Sequence, residues 1–467
     1  MTPPVRNLQL GSPQGKKPDH DVRRSAIPTR PAYLTFGQCS IHTAVRQRRH
    51  QAIVPSTVSM IDRLGSLVSP TARTFGLGTD DESRVGGLPL ACKYSNSTGA
   101  GARLALVDES GHVRLFDTLG AVGAEGLQPA VQWKAHDNSV FDVEWSPGDD
   151  RLVTASADET SRVWDVERQQ LLGTFGGHTQ TVRSVSWQHG SHHCFSTASR
   201  DGSIMVWDVR SNRTAAGASA GDCVYRPVNT IARAHHDLRS SRRPARGKHS
   251  ACVAGSVTAI KHLRHNASMV ASAGSASEVV KFWDMRMTAP ARATALPTPI
   301  ASSLLASTAR RSRGIASLSL DPDGTRLYAA CNDNTVHVHN ALSLGQALSQ
   351  LGAPEFQCNS FNISTSMSPC GSYLAAGSAG GAAVVWGVDR YGHNARRARA
   401  VLAGHGKEVG CVAWYPGRDR VQLATSGDDG TLRVWDLDAS LAEQGRADPM
   451  KRFCWGLSTI HREPHRL

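Results

Sequence analysis

The chain has 467 residues, a formal net charge of +13 and a pI near 9.5. Hydrophobic residues make up 40% and charged residues 19%, which excludes a chain disordered throughout and supports a sizeable core. No apolar run reaches the roughly eighteen residues of a membrane-spanning helix, and the opening MTPPVRNLQLGSPQGKK lacks the apolar centre of a secretory signal.

Residues 1–75 are rich in Pro, Ser, Arg and Gly and read as a disordered basic extension, with a short helix near Val58–Leu67 behind the cap candidates Ser56 and Thr57. Residues 76–440 read as one repeat domain. Leu88 to Thr118 is its first unit. The second, Ala135 to Val166, reads AHDNSVFDVEWSPGDDRLVTASADETSRVWDV, and the third, Gly177 to Val209, reads GHTQTVRSVSWQHGSHHCFSTASRDGSIMVWDV. A basic insertion over 211–255 follows, carrying RSSRRPARGKH from Arg239 to His249. The fourth unit, Val257 to Arg286, opens with Ala234-His235, and a second insertion spans 287–312. Gly314 to Asn340 and Phe361 to Val388 are the fifth and sixth units, and GHGKEVGCVAWYPGRDRVQLATSGDDGTLRVWDL, Gly404 to Leu437, is the seventh. Residues 441–467 are a short tail. Each unit holds short alternating apolar runs separated by polar turns, the pattern of half-buried strands.

Units two, three and seven share a stricter rule. A His precedes the Trp by 28, 29 and 30 residues, an Asp stands six before that Trp, and a Thr four before that Asp. The sets are His136, Thr154, Asp158 and Trp164; His178, Thr197, Asp201 and Trp207; and His405, Thr425, Asp429 and Trp435. A buried indole N–H, a hydroxyl and an imidazole all need partners, and a carboxylate in a tight turn can complete the chain. The sets resemble the hydrogen-bonded tetrad of WD repeats, and the Asp/His pairs read as blade staples, not catalytic dyads. The expected fold is all-β, a seven-bladed WD-repeat β-propeller, a number that closes a ring and protects its sheet edges. In the other units Ser277 and Gly380 replace the turn Asp and His339 replaces the Trp, so those blades should depend more on packing.

Chemistry-bearing motifs are missing. There is no GxxxxGK[ST] or HExxH, and the ten cysteines form no CxxC pair and read as reduced core residues. His192-His193-Cys194 enters a predicted strand, where neighbours point to opposite faces, so it is not a chelating set. No enzyme activity, cofactor or metal is expected.

What remains is a contact motif. Unit three ends Trp207-Asp208-Val209-Arg210 and unit four ends Trp283-Asp284-Met285-Arg286, both WDxR, whereas units two and seven end WDVE and WDLD. Two adjacent blades would present two planar guanidinium forks on one rim. This resembles the signature by which many WD-repeat proteins dock onto the damaged-DNA-binding adaptor of cullin-4 RING ubiquitin ligases. The blocks WKAHDNSVFDVEWSPGDDRLVTASADETSRVWDV and SRDGSIMVWDVRSN, the opening LPLACKYS, the insertion after unit three and VLAGHGKEVGCVAW carry the resemblance further. From about Leu88 to Leu437 the chain resembles the denticleless family, the substrate receptors of that ligase.

The resemblance implies a nuclear, non-catalytic receptor. It would take degron substrates bound to the sliding clamp on DNA, of the replication and cell-cycle type, to the ligase for ubiquitination. It also implies that Trp207, Asp208, Arg210, Trp283, Asp284 and Arg286 form the adaptor-facing rim. The degron would meet the opposite face, for which blade position suggests Phe141, Arg183, Arg200, Glu408 and Asp428. Animal members carry a long tail beyond the propeller, but 32 residues follow Trp435 here, so recognition is expected to rest on the propeller face and basic loops. The run Arg239 to His249 is open to three readings: a solvated loop, a nuclear address or a contact to DNA. The alternative for the whole chain is a ligase-independent scaffold of the histone-binding or RNA-processing type.

Overall fold

The computed structural model describes residues 63–77, 87–120, 126–211, 213–215, 223–235, 255–286, 297–303, 313–388, 396–447 and 457–460. They form a seven-bladed β-propeller. Its inner strands are Pro89–Tyr94, Val140–Trp145, Val182–Trp187, Val257–His262, Ile315–Leu320, Thr365–Met367 and Val409–Trp414, which surround a central channel. Each is followed by two antiparallel strands and an outer edge strand. Alternation gives every blade two apolar faces, and the core lies in the seams between blades. Trp207, Trp386 and Trp435 are fully buried there.

Neighbouring inner strands are laced by short polar contacts. Val185 N–H donates to Asp142 Oδ2 at 3.0 Å, His262 N–H to Ser186 Oγ at 3.2 Å, and Thr258 Oγ1–H to the Ile315 carbonyl at 2.6 Å. Thr365 N–H reaches Ser317 Oγ at 3.1 Å and Val412 N–H reaches Ser364 Oγ at 3.0 Å. Cys92 N–H meets Cys411 Sγ at 3.3 Å, and the Trp145 indole meets the Lys93 carbonyl at 3.0 Å, so the ring of contacts is complete. Small hydroxyl side chains let the strands converge while still satisfying their backbone.

Six of the seven inner strands carry a register shift at their second residue. The extra residues include Leu90, Phe141, Arg183, Thr258 and Ala316. A bulge turns a side chain off the regular face, and these five side chains line the channel.

Segments before and after the repeats close the structure, and here the expected boundaries shift. Thr74–Gly76 pairs with Thr431–Leu437 of blade 7 in the register Thr74↔Arg433, and Leu67–Val68 continues along the same edge. The boundary expected at residue 75 therefore cuts through the outer strand of blade 7. Of the helix expected near Val58–Leu67, Arg63 and Leu64 are helical, Gly65 and Ser66 form a turn and Leu67 is in a strand, while 58–62 lie outside the described residues. Nor is the expected tail separate: Ala439–Ala447 is helical, and Leu457–Ile460 pairs with Ala400–Ala403 of blade 6 and with Val68, joining blades 6 and 7 into one sheet.

Both insertions contribute strands. Asn229–Ile231 is the outer strand of blade 3 and Ala301–Ser302 that of blade 4. Arg213–Ala215 and Cys223–Tyr225 form a hairpin that extends blade 2, Cys223–Tyr225 running parallel to Gln170–Gly176. The Tyr225 ring stacks on Phe175 at 4.5 Å, directly over Gly173, where an added Cβ would stand 2.4 Å from it. The basic run Arg239 to His249 lies outside the described residues, and no described helix is long and apolar enough to cross a membrane.

Candidate functional site

In blades 2, 3 and 7 the third strand runs from the turn carrying the tetrad Asp to the Trp-Asp end, and in blade 4 it runs from Ser277 to such an end, so turns and Trp-Asp ends lie on opposite faces of the disc. At the turn end of blade 3, the Trp207 indole donates to Thr197 Oγ1 at 2.8 Å. His178 Nε2 lies 2.7 Å from the same hydroxyl and His178 Nδ1 lies 2.9 Å from Asp201 Oδ2. Blade 2 repeats this with Trp164 at 3.2 Å and His136 at 2.7 Å from Thr154, and His136 at 2.8 Å from Asp158. In blade 7, Trp435 and His405 each lie 2.8 Å from Thr425 Oγ1, and His405 lies 3.1 Å from Asp429. Burial works against ionisation of Asp158, but the hydrogen bond and charge of His136 outweigh it and hold the carboxyl at about 2. Asp201 and Asp429 are also depressed, by His178 and His405 against the opposing cost of burial.

The other blades improvise. Blade 4 keeps three members: the Trp283 indole and His235 Nε2 each lie 2.8 Å from Ser272 Oγ. Blade 6 sends the Trp386 indole to the Gly352 carbonyl at 3.1 Å. In blade 1, Arg114 donates to the buried Asp108.

On the opposite face the two WDxR ends have one geometry. Arg210 Nε lies 3.0 Å from Asp208 Oδ1 and its Nη2 lies 2.8 Å from Oδ2. Arg286 Nε lies 3.0 Å from Asp284 Oδ1 and its Nη2 lies 2.6 Å from Oδ2. The backbone N–H of each Arg also caps its Asp, at 2.9 and 3.0 Å. The fork therefore closes on the blade's own carboxylate, which holds the guanidinium plane in place. The side chains stay 64% and 72% exposed. The hydrogen bond from Arg210 holds Asp208 below the usual carboxylate range, and that from Arg286 does the same for Asp284. Trp207 and Trp283 lie buried beneath these ends.

The other Trp-Asp ends differ. Asp165 is met by Arg168 Nη1 at 3.2 Å, and Asp436 by Arg73 Nε at 3.3 Å, the latter from the N-terminal segment. The two-residue spacing in blades 3 and 4 alone gives the closed fork among these four. Beside Arg210 lies a cavity of about 230 Å³ between blades 2 and 3, lined by Leu172, Phe175, His193, Val209 and Tyr225 among others. Tyr225 has no counterpart in the sequence reading. Its one signal was the short apolar run around CVY inside the insertion.

At the channel mouth the structure separates the five expected substrate-face residues. Arg183 lies over the Phe141 ring at 4.3 Å, and its Nη2 donates to the Phe361 carbonyl and to Asn362 Oδ1, each at 3.0 Å. Burial, then the charge of Arg200, lowers the Arg183 guanidinium to about 10. Glu408 accepts from the Ser360 hydroxyl. Asp428 is raised by burial, although Lys407 opposes the shift. Arg200 is exposed. Phe141, Arg183 and Glu408 are thus committed to internal contacts, and Arg200 is the freest of the five for an outside partner.

The WD40 family (WD domain, G-beta repeat) matches residues 127–165, 169–208, 303–340 and 397–436. The chain is 35% identical over 360 residues to the denticleless protein homolog of Gallus gallus, covering 75% of this chain and 47% of that protein. It is 33% identical over 377 residues to the denticleless protein homolog of Homo sapiens, covering 79% and 49%. It is 33% identical over 376 residues to protein lethal(2)denticleless of Drosophila melanogaster, covering 77% and 46%. The chain spans about half the length of these relatives.

Proposed function

The chain belongs to the denticleless family of WD-repeat proteins, and from that membership we propose that it is a non-catalytic substrate receptor of a cullin-4 RING ubiquitin ligase. The reading rests on one observation above others: Arg210 and Arg286, on adjacent blades, are held in the same fork by Asp208 and Asp284. An ordered guanidinium loses less side-chain entropy when it meets a carbonyl or carboxylate. The damaged-DNA-binding adaptor would meet this rim. Sliding-clamp-bound degron substrates would meet the opposite face, in the nucleus, and the outcome would be ubiquitination of replication and cell-cycle proteins. The basic run Arg239 to His249 would add a nuclear address or a contact to DNA.

The test is co-precipitation of the adaptor by the parent chain and by the Arg210→Ala/Arg286→Ala double variant, with melting curves to verify the fold. The double variant should lose binding by at least about tenfold, the scale of an interface hot spot. The Arg210→Lys/Arg286→Lys variant should not recover it, because an ammonium cannot hold the fork. Undiminished adaptor binding by the folded double variant overturns the proposal.

A further inference from the structure

The upper turn of blade 5 is built from unusual parts. Where the complete tetrads take their His from the loop before the blade, this loop offers Arg313-Gly314. A His arrives instead from the strand: His337 Nε2 lies 3.0 Å from Asp333 Oδ2 and 3.0 Å from Thr335 Oγ1. Cys331 pairs with Thr335 and Ala329 with His337, so Cys331 and His337 share a face of the blade. That face carries Leu327 and Ala329 and packs against Val280 and Phe282 of blade 4. The ligating atoms of Cys331, Asp333 and His337 lie within 4.8 Å of one another.

Blade 4 supplies a further group. Glu278, in the strand Ser277–Asp284, has its Oε2 buried with no hydrogen-bond partner. The charges of Asp333, His337 and Arg313 all act on this carboxylate.

We propose that Cys331, Asp333 and His337, joined by Glu278, bind one divalent transition-metal ion of the zinc type at the seam of blades 4 and 5. A sulfur, an imidazole nitrogen and two carboxylate oxygens are a borderline-soft set that suits tetrahedral zinc better than calcium or magnesium. Bonds of about 2.0–2.3 Å put tetrahedral ligand atoms about 3.5 Å apart, so Cys331, Asp333 and His337 close by about 1 Å on binding, and Glu278 turns in from blade 4 to join them. The thiol gives up its proton to solvent as the ion enters. A thiolate and two carboxylates then exceed the ion by one negative charge, which the charge of Arg313 acting on Glu278 opposes. The ion would join two blades where the loop His is missing.

The experiment uses the full chain, stripped with chelator and titrated with Co²⁺, followed by competition with Zn²⁺. One equivalent should bind, with thiolate-to-cobalt charge-transfer absorption that Zn²⁺ abolishes. Cys331→Ser should lose that absorption. Glu278→Gln alters a half-buried group, so it should melt like the parent in chelator yet bind cobalt at least about tenfold more weakly. An absent charge-transfer band in the parent overturns the proposal. So does a band that persists in Cys331→Ser, or parental affinity in Glu278→Gln. The turn would then be a hydrogen-bonded substitute for the tetrad and nothing more.

Discussion

Arg183 of blade 3 crosses the central channel and donates to Asn362 Oδ1 of blade 6 at 3.0 Å, over a sequence separation of 179 residues. The same Nη2 reaches the Phe361 carbonyl, so one guanidinium ties opposite walls of the ring. Arg183→Ala leaves both acceptors without this donor and should destabilise by about 2–3 kcal/mol. Arg183→Lys should recover less than half, because it cannot stack flat on Phe141 and hold the same geometry. Urea titration of the three proteins checks this, and equal midpoints would mean that water replaces the tie.

Asp201 and Ser277 occupy comparable turns but carry unequal loads. Asp201 accepts from His178, from the Thr179 N–H, and from both the N–H and hydroxyl of Ser203. Ser277 Oγ accepts from the Val279 N–H at 3.1 Å. Asp201→Ala should cost about 2–4 kcal/mol, the loss of a charged acceptor in a buried network. Ser277→Ala should cost less than about 1 kcal/mol. Thermal melts at neutral pH separate the two.

Buried imidazoles set the acid limit. Burial, reinforced by Lys281, lowers His235 to about 3. Burial, reinforced by Lys261, lowers His262 to about 3, and burial with the charge of His337 lowers His339 to about 4. All three titrate near 6.5 when unfolded. Below that pH the unfolded chain binds more protons than the native one, so stability falls as pH drops from about 6.5 towards 4. Asp158 adds its loss only lower, between about pH 4 and 2. Neither ring nitrogen of His339 has a hydrogen-bond partner, and it stands where other blades place Trp. His339→Phe should therefore gain about 1 kcal/mol at pH 7 and more at pH 5. Urea midpoints at the two pH values measure the slope.

Removal of the N-terminal segment should act in two stages. A chain beginning at residue 63 should melt like the parent, because it keeps Leu67–Val68 and Thr74–Gly76 on the edge of blade 7. One beginning at residue 87 loses the buried Leu64, Leu67, Val68 and Leu77 and bares the strand Thr431–Leu437. An open edge invites pairing with other chains, so this protein should melt earlier and self-associate. Melting and sedimentation together test both stages.

Spacing in the sequence was enough to count seven blades and to align His178, Thr197, Asp201 and Trp207, because strand, turn and strand lie within one short segment whose periodicity encodes them. The WDxR ends were legible for the same reason, as a two-residue relation between Asp208 and Arg210. The closing of that fork, with the Arg clamped to its own Asp, needed the turn geometry beyond Trp207. The rest was decided over long range. Thr74–Gly76 and Leu457–Ile460 are short and locally featureless, and they become strands because the finished ring leaves edges at blades 6 and 7 for them to cover. Tyr225 packs on blade 2, although it lies between the third and fourth strands of blade 3, because Gly173 leaves room for its ring. Arg183 reaches Asn362 only because a bulge turns it into a channel that forms once seven distant inner strands have met. Local patterning therefore determined the blades, and ring closure determined which edges, seams and channel walls their remaining side chains would share.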